Sequence, residues 1–251
     1  MGAVVIIPAR LGSTRFPRKV LADRTGRPLI QHVWEQARRS GAERVVIATD
    51  ADEVAARVQS FGGQCVMTST THENGTSRLA EASTLLGLDD KVIVVNVQGD
   101  EPEIEPGAID EVVQLLERCG APMSTIATPI PSDAIFASPN AVKVVLRPAS
   151  DGVARAMYFS RAPIPHVRDG GDRGERLLHV GIYAYRAGFL RQYAALPPTA
   201  LERVEKLEQL RALEHGFEIA VGVRAVSSVG VDTPEDYERF VDRWVARKRS
   251  P

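Results

Sequence analysis

Residues 4–19, VVIIPARLGSTRFPRK, open with four consecutive apolar residues and close on a run of cations. A short apolar run without polar alternation reads as a strand buried on both faces. Pro8 ends it, and Gly12, Ser13 and Thr14 make a small loop with spare donors. Arg10, Arg15, Arg18 and Lys19 fall in this segment of a chain whose formal net charge is only -1. Guanidinium forks suit phosphate oxygens bidentately, and a lysine adds a compact point charge. The stretch therefore predicts a strand leading into a phosphate-binding loop at the carboxyl edge of a sheet. Two familiar phosphate loops are excluded. Lys19 is followed by Val20 rather than Ser or Thr, and Gly12 is the only glycine of the loop.

Outward from this strand, helical stripes alternate with short apolar runs. Leu29, Ile30, Val33, Trp34 and Ala37 predict a helix opened by Pro28, and 45–49 a buried strand with Asp50 at its end. A helix from about Asp52 to Gly62, a short strand at 65–67 and a helix through Leu79, Ala82 and Leu86 follow. Next come a strand at 92–97, a helix through Ile109, Val112, Val113 and Leu116, and a strand at 124–128. Such alternation implies right-handed βαβ crossovers and a parallel sheet.

From residue 142 the pattern changes. AVKVVL and VARAMYF are strand-like runs with a turn and no helix between them, and a Gly-rich loop leads to the strand LLHVGIYAY. They predict a β-rich insertion over about 138–190, beside the main sheet of a single domain spanning 1–251. Thr199 and Glu202 have the spacing of a capping box for one long helix, with Leu201, Val204, Leu207, Leu210 and Leu213 inward. A late strand at 218–223 and a short one ending at Asp232 precede a last helix opened by Thr233, Pro234 and Asp236.

With 251 residues, 44% of them hydrophobic and 25% charged, the composition is that of a globular chain. The near-neutral charge argues against a nucleic-acid binder, and no stretch is long and apolar enough for a membrane span. Cys65 and Cys119 form no disulfide framework, so a reducing, cytoplasmic setting is expected.

In open α/β sheets ligands bind beyond the carboxyl ends of the strands. Besides the basic loop, Gln98-Gly99-Asp100 and Asp232 are expected there. Gly99 would admit a ligand close to the backbone. Two carboxylates facing a polyphosphate make a Mg²⁺ site, although Asp232 could instead assist the helix start at Thr233. His32 reads as structural. His179, alternating with buried residues, reads equally as a core histidine or as a contact to an acceptor. No Cys/His cluster has zinc spacing and no nucleophile elbow is present.

The loop PARLGSTRFPRK resembles the first motif of cytidylyltransferases that activate acidic sugars. VIVVNVQGDEP at 92–102, SPNAVKVV at 138–145, FSRAPIP and HVGIYAYR within 159–186, LEQLR at 207–211 and GVDTPED at 230–236 narrow the resemblance to the 3-deoxy-manno-octulosonate (Kdo) cytidylyltransferase family. Together with ATDADEVA at 48–55, the similarity spans nearly the whole chain. It implies a Rossmann-like nucleotidyltransferase sheet and a homodimer formed through the β-rich insertion. It also implies Mg²⁺-dependent transfer of CMP from CTP to the anomeric hydroxyl of Kdo, with pyrophosphate released. By motif position, Arg10, Ser13, Arg15 and Lys19 would hold the triphosphate, Arg78 would help read cytosine, and Asp100 and Asp232 would bind Mg²⁺. Gln98, Arg161, His179, Tyr183, Glu208 and Gln209 would line the acceptor pocket, with Gln98 also near the nucleotide.

Some positions depart from the family pattern. Arg18 and Val20 stand where the family usually has glycine and proline, Asn74 replaces a serine, His166 replaces an aromatic residue, and the 167–176 loop is short. These changes bear on the acceptor more than on the nucleotide, so a phosphono acid or a sialic-type acid is the alternative acceptor. A metal-dependent glycosyltransferase and a non-catalytic nucleotide sensor are the rival classes.

Overall fold

In the computed structural model, described over residues 2–72, 74–168, 174–226 and 230–249, the opening apolar run is β1 (Val4–Ala9). It pairs in parallel with β2 (Arg44–Thr49) and β4 (Ile93–Asn96), and β2 with β3 (Gln64–Met67). Both faces of β1 are covered, as its lack of alternation requires. Val5 and Ile7 pack with Ile30, Val33, Val54 and Ile109. Val4 and Ile6 pack with Leu79, Ala82 and Leu190. These partners come from α1 (Leu29–Ala37), α2 (Asp52–Ser60) and α4 (Pro106–Arg118) on one side, and largely from α3 (Gly75–Leu85) on the other. The crossover helices anticipated from the stripes are thus the layers of the fold.

The second half differs from the expected parallel sheet. β5 (Met123–Pro129) does not lie beside β4. The later β8 (Leu177–Arg186) is wedged between them, antiparallel to both. β6 (Lys143–Arg147) and β7 (Arg155–Ser160) belong to the same nine-stranded sheet, ordered β3-β2-β1-β4-β8-β5-β9-β7-β6, with β9 (Ile219–Val223) parallel to β5. Because β6 also pairs with β8, strands β8, β5, β9, β7 and β6 return on themselves. The β-rich segment is therefore built into the main sheet rather than set beside it. The physical reason is that β8 buries Leu177 and Tyr185 on one side and Val180, Ile182 and Ala184 on the other, so it can occupy an interior position.

Two helices had no clear stripe: α5 (Asp133–Ala137), capped by Ser132, and α6 (Ala187–Ala195). The expected long helix after Thr199 is instead α7 (Ala200–Glu205) and α8 (Leu210–Glu214), broken at Lys206, whose φ is 55°. Leu207 and Leu210 are buried as expected, whereas Val204 is 81% exposed. Side-chain demand outweighs helix periodicity here. The Arg161 guanidinium takes the Glu205 carbonyl at 2.8 Å, and Arg211 folds back onto the Glu202 carboxylate at 2.9 Å. Of the short strand expected up to Asp232, residues 227–229 lie outside the described set and 230–232 form no strand.

The last helix, α9 (Pro234–Arg249), lays Tyr237, Phe240 and Val241 over Leu29. His32 sits against Phe240 and Trp244, with ring centroids 5.0 and 4.5 Å away, and pairs with Thr25 Oγ1 at 2.6 Å. Burial pushes its pKa down to about 4. A base with a depressed folded-state pKa contributes stability above its unfolded value near 6.5, and loses it as pH falls toward 4. Thermal melts should show a steeper loss of stability between pH 6.5 and 4 for wild type than for His32→Phe. The difference is expected to reach at most about 3 kcal/mol. Parallel pH profiles for the two proteins would refute this reading.

Candidate active site

The loop after β1 turns on Ser13, whose Oγ accepts from the Phe16 N–H at 3.3 Å, and ends in a 3-10 turn at Lys19–Leu21. Arg18 opens that turn in the left-handed region, φ 61°, where glycine is favoured. This accounts physically for the glycine that the family pattern carries there. The Arg18 guanidinium turns away from the loop to pair with Glu53. Arg18→Gly should therefore leave CTP turnover unchanged. It should hold or raise the melting temperature, because relief of about 1–2 kcal/mol of left-handed strain offsets glycine's entropy and an exposed ion pair. A tenfold fall in kcat/KM would show that this guanidinium reaches the substrate.

Arg10, Ser13, Arg15 and Lys19 line one cleft of about 270 Å³ together with Arg78, Gln98, Asp100 and Asp232. Two backbone-level contacts bring the distant acids together. The Val231 N–H donates to the Asp100 carbonyl at 2.8 Å, and Lys19 Nζ donates to the Val231 carbonyl at 3.0 Å. The same ammonium pairs with Asp100 Oδ2 and lies 3.3 Å from Asp232 Oδ1, which Arg15 also meets at 3.0 Å. The helix-start alternative for Asp232 is answered by its neighbours. Asp236 Oδ2 accepts from the Thr233 N–H at 2.9 Å, and Thr233 Oγ1 accepts from the Asp236 N–H at 3.2 Å. Capping is complete without the Asp232 side chain, which is left for the cleft.

Arg78 lines the cleft from a buried position on α3, its fork divided between Thr68 Oγ1 at 2.6 Å and Asp50 Oδ2 at 2.7 Å. Asp50 at the end of β2 thus holds Arg78 in place. Gly99 lines the cleft, and a Cβ there would lie 2.6 Å from the Pro8 carbonyl oxygen, so close packing on β1 also requires glycine. His72 and Asn74 also line the cleft and were missed in the sequence. His72 is held between Ser77 Oγ, at 3.0 Å, and Glu81, whose carboxyl the histidine contact holds below its usual range. The turn THENGTSR was the available signal for both.

A second pocket of about 270 Å³ adjoins the cleft, and Gln98 and Gly75 line both. Gln98, His179, Tyr183, Glu208 and Gln209 are brought together in it as expected. Arg161 is not. Its guanidinium is spent on the carbonyls of Glu205, Pro139 and Lys206, at 2.8, 3.0 and 3.4 Å, so it shapes the turn that presents Glu208 and Gln209. Tyr185 and Tyr193 line the pocket too. Tyr185 was legible as the next alternate residue after His179, Gly181 and Tyr183 on β8, whereas Tyr193 lies on the unanticipated α6.

Among the described residues no Lys or Arg lines this second pocket. Asn96 Oδ1, Glu208 Oε1 and Gln209 Nε2 are buried in its wall without a hydrogen-bond partner among the described residues. Buried polar atoms left unpaired cost about 1–3 kcal/mol each, and together they form a donor–acceptor lining suited to a hydroxyl-rich molecule. Burial raises the Glu208 carboxyl and the Tyr183 and Tyr185 phenols above their usual ranges, and lowers His179 to about 3. His179 lines this pocket, and the surrounding protein strips its ring of water.

The two Asp carboxylates that meet at Lys19 suit Mg²⁺, which takes one or two carboxylates and completes its shell with phosphate oxygens and water. Among the described residues no cluster of three or more His, Cys, Asp or Glu could hold a metal alone. No helix among them is long and apolar enough to cross a membrane.

A family profile described as cytidylyltransferase matches residues 4–219. The 3-deoxy-manno-octulosonate cytidylyltransferase of Syntrophobacter fumaroxidans is 51% identical, over 96% of each chain. That of Vibrio cholerae is 49% identical over 99% of each. Among solved structures, a CMP:2-keto-3-deoxy-manno-octonic acid synthetase complexed with CTP superposes with a TM-score of 0.91 at 40% identity, covering 98% of this chain and 100% of that one. A 4-diphosphocytidyl-2C-methyl-D-erythritol synthase shares the fold, with a TM-score of 0.63 at 13% identity over 96% of each chain. With a cationic cleft and a neighbouring polar pocket joined at Gln98, this chain belongs to the 3-deoxy-manno-octulosonate cytidylyltransferase family.

Proposed function

We propose that the protein transfers CMP from CTP to the anomeric hydroxyl of Kdo and releases pyrophosphate. The observation that carries this reading is the pairing of the two pockets, one lined by phosphate-seeking cations and the other by orphaned hydrogen-bonding groups, with Gln98 common to both. Arg10, Ser13, Arg15 and Lys19 hold the triphosphate, and Arg78, fixed by Asp50, faces the nucleotide. Gln98, His179, Tyr183, Glu208 and Gln209 bind the hydroxyls of the sugar acid, and Arg161 acts through the 205–209 turn. Asp100 and Asp232 would hold Mg²⁺, whose charge would offset that on the phosphate oxygens. In the transfer, the anomeric oxygen bonds to the α-phosphorus as the bond to the pyrophosphate oxygen breaks. The hydroxyl proton passes to solvent water. Geometry for in-line attack and cations on the leaving group suffice, so no protein nucleophile is needed.

The pocket lining favours Kdo over a phosphono acid, since among the described residues it offers no Lys or Arg and one carboxyl. The test is pyrophosphate release from CTP, ATP, GTP and UTP with Kdo, sialic acid and small phosphono acids. CTP with Kdo is expected to give the highest kcat/KM. A phosphono acid favoured a hundredfold, about 2.7 kcal/mol, would overturn the acceptor while leaving the cytidylyl chemistry.

A cytoplasmic homodimer completes the proposal. Cys65 and Cys119 are free thiols. Met157 on β7 and Val204 on α7 are exposed apolar side chains suited to contact with a second copy. Sedimentation analysis tests the dimer, and a monomer at assay concentration would refute it.

A further inference from the structure

Thr125 on β5 is fully buried and faces a bulge in β8. The register moves from Thr125 opposite Tyr183 to Ile126 opposite Val180, so Gly181 and Ile182 are extra residues on β8. The Thr125 Oγ1 lies 2.7 Å from the Ile182 carbonyl oxygen, 3.2 Å from that of Val180 and 3.0 Å from His179 Nε2. A hydroxyl has one proton and two lone pairs, and a carbonyl oxygen can only accept. If Thr125 donated to His179, two carbonyl oxygens would face its oxygen with no proton between them. The proton therefore goes to a bulge carbonyl, and Oγ1 accepts from an Nε2–H of His179. Among the described residues Nδ1 has no hydrogen-bond partner, and the ring lines the pocket between Phe159 and Tyr183, whose centroids lie 5.1 and 5.2 Å away.

We propose that Thr125 is a positioning residue that holds His179 as the Nε2–H tautomer, leaving Nδ1 to accept a hydrogen bond from a hydroxyl of the sugar acid. The second half of this statement rests on the acceptor reading above. The bulge is what makes the arrangement work, because its carbonyls commit the threonine proton. Burial of the ring acts in the same direction, since an imidazolium would present a donor at both nitrogens.

The test is nitrogen NMR on the full chain labelled with ¹⁵N-histidine, with the His179 signals assigned by their absence in His179→Gln. At neutral pH the wild type should show a pyrrole-type Nε2 and a pyridine-type Nδ1. Thr125→Val should change that pattern and raise the KM for Kdo about tenfold, equivalent to about 1.4 kcal/mol, with the KM for CTP within twofold. Thr125→Ser should restore both. An Nδ1–H tautomer or an imidazolium in the wild type overturns the proposal, as does a Thr125→Val protein that keeps the tautomer and the KM for Kdo. Thr125→Val also strands buried carbonyls; should it fail to fold, the wild-type and Thr125→Ser spectra decide. Expected spectra without turnover of Kdo would count against the acceptor reading alone and leave the tautomer standing.

Discussion

Lys19→Met should lower kcat for CTP-dependent pyrophosphate release by about 10²–10³-fold, the cost of removing one group that meets charge developing in the transition state. The methionine keeps the length of the stem and removes the ammonium. That ammonium lies at the meeting point of Asp100, Asp232 and the Val231 carbonyl, so it is both aimed into the cleft and already stripped of much of its water. An incoming triphosphate can take it over from the carboxylates without a change of fold. Arg15 is 65% exposed and meets Asp232 from the rim, so Arg15→Ala should cost less, about tenfold. Steady-state rates at saturating CTP, with a thermal melt of each variant, check the expectation. Near wild-type kcat for Lys19→Met would remove Lys19 from the reaction.

The second large effect concerns the acids. Asp100→Asn should reduce the metal-dependent rate by at least about 10²-fold, because an amide keeps the shape and loses the charge that holds a divalent cation. Asp232→Asn should act in the same direction. Since Thr233 and Asp236 cap α9 between themselves, the Asp232 variant should melt close to wild type. Titration of Mg²⁺ at fixed CTP separates the alternatives. A raised metal requirement supports the ligand role, whereas a lowered melting temperature with an unaltered Mg²⁺ curve would return Asp232 to a structural part.

These predictions draw unequally on sequence and structure. The cleft was readable because its parts are local. A strand end, a loop dense in cations and an acid directly after an apolar strand are patterns of near neighbours, and an α/β sheet carries such ends to one edge. The second pocket was readable only in part. His179, Gly181, Tyr183 and Tyr185 follow the period of two along β8, while Asn96 and Tyr193 show no pattern that marks them. Arg161 was placed in the pocket by motif, yet three carbonyls from two separate segments hold its guanidinium elsewhere.

By itself the sequence determined the strand–helix alternation of the first half, the burial of β1 on both faces and the cationic loop at its end. Each of these rests on the chemistry and spacing of residues close together in the chain. Only the tertiary structure decided that β8 enters between β4 and β5, that the helix after Thr199 breaks at Lys206, and that Asp100 and Asp232 share one lysine. Those outcomes depend on partners brought together from opposite ends of the chain. A strand with two apolar faces fits any interior slot, and an arginine takes whichever carbonyls the fold leaves without partners.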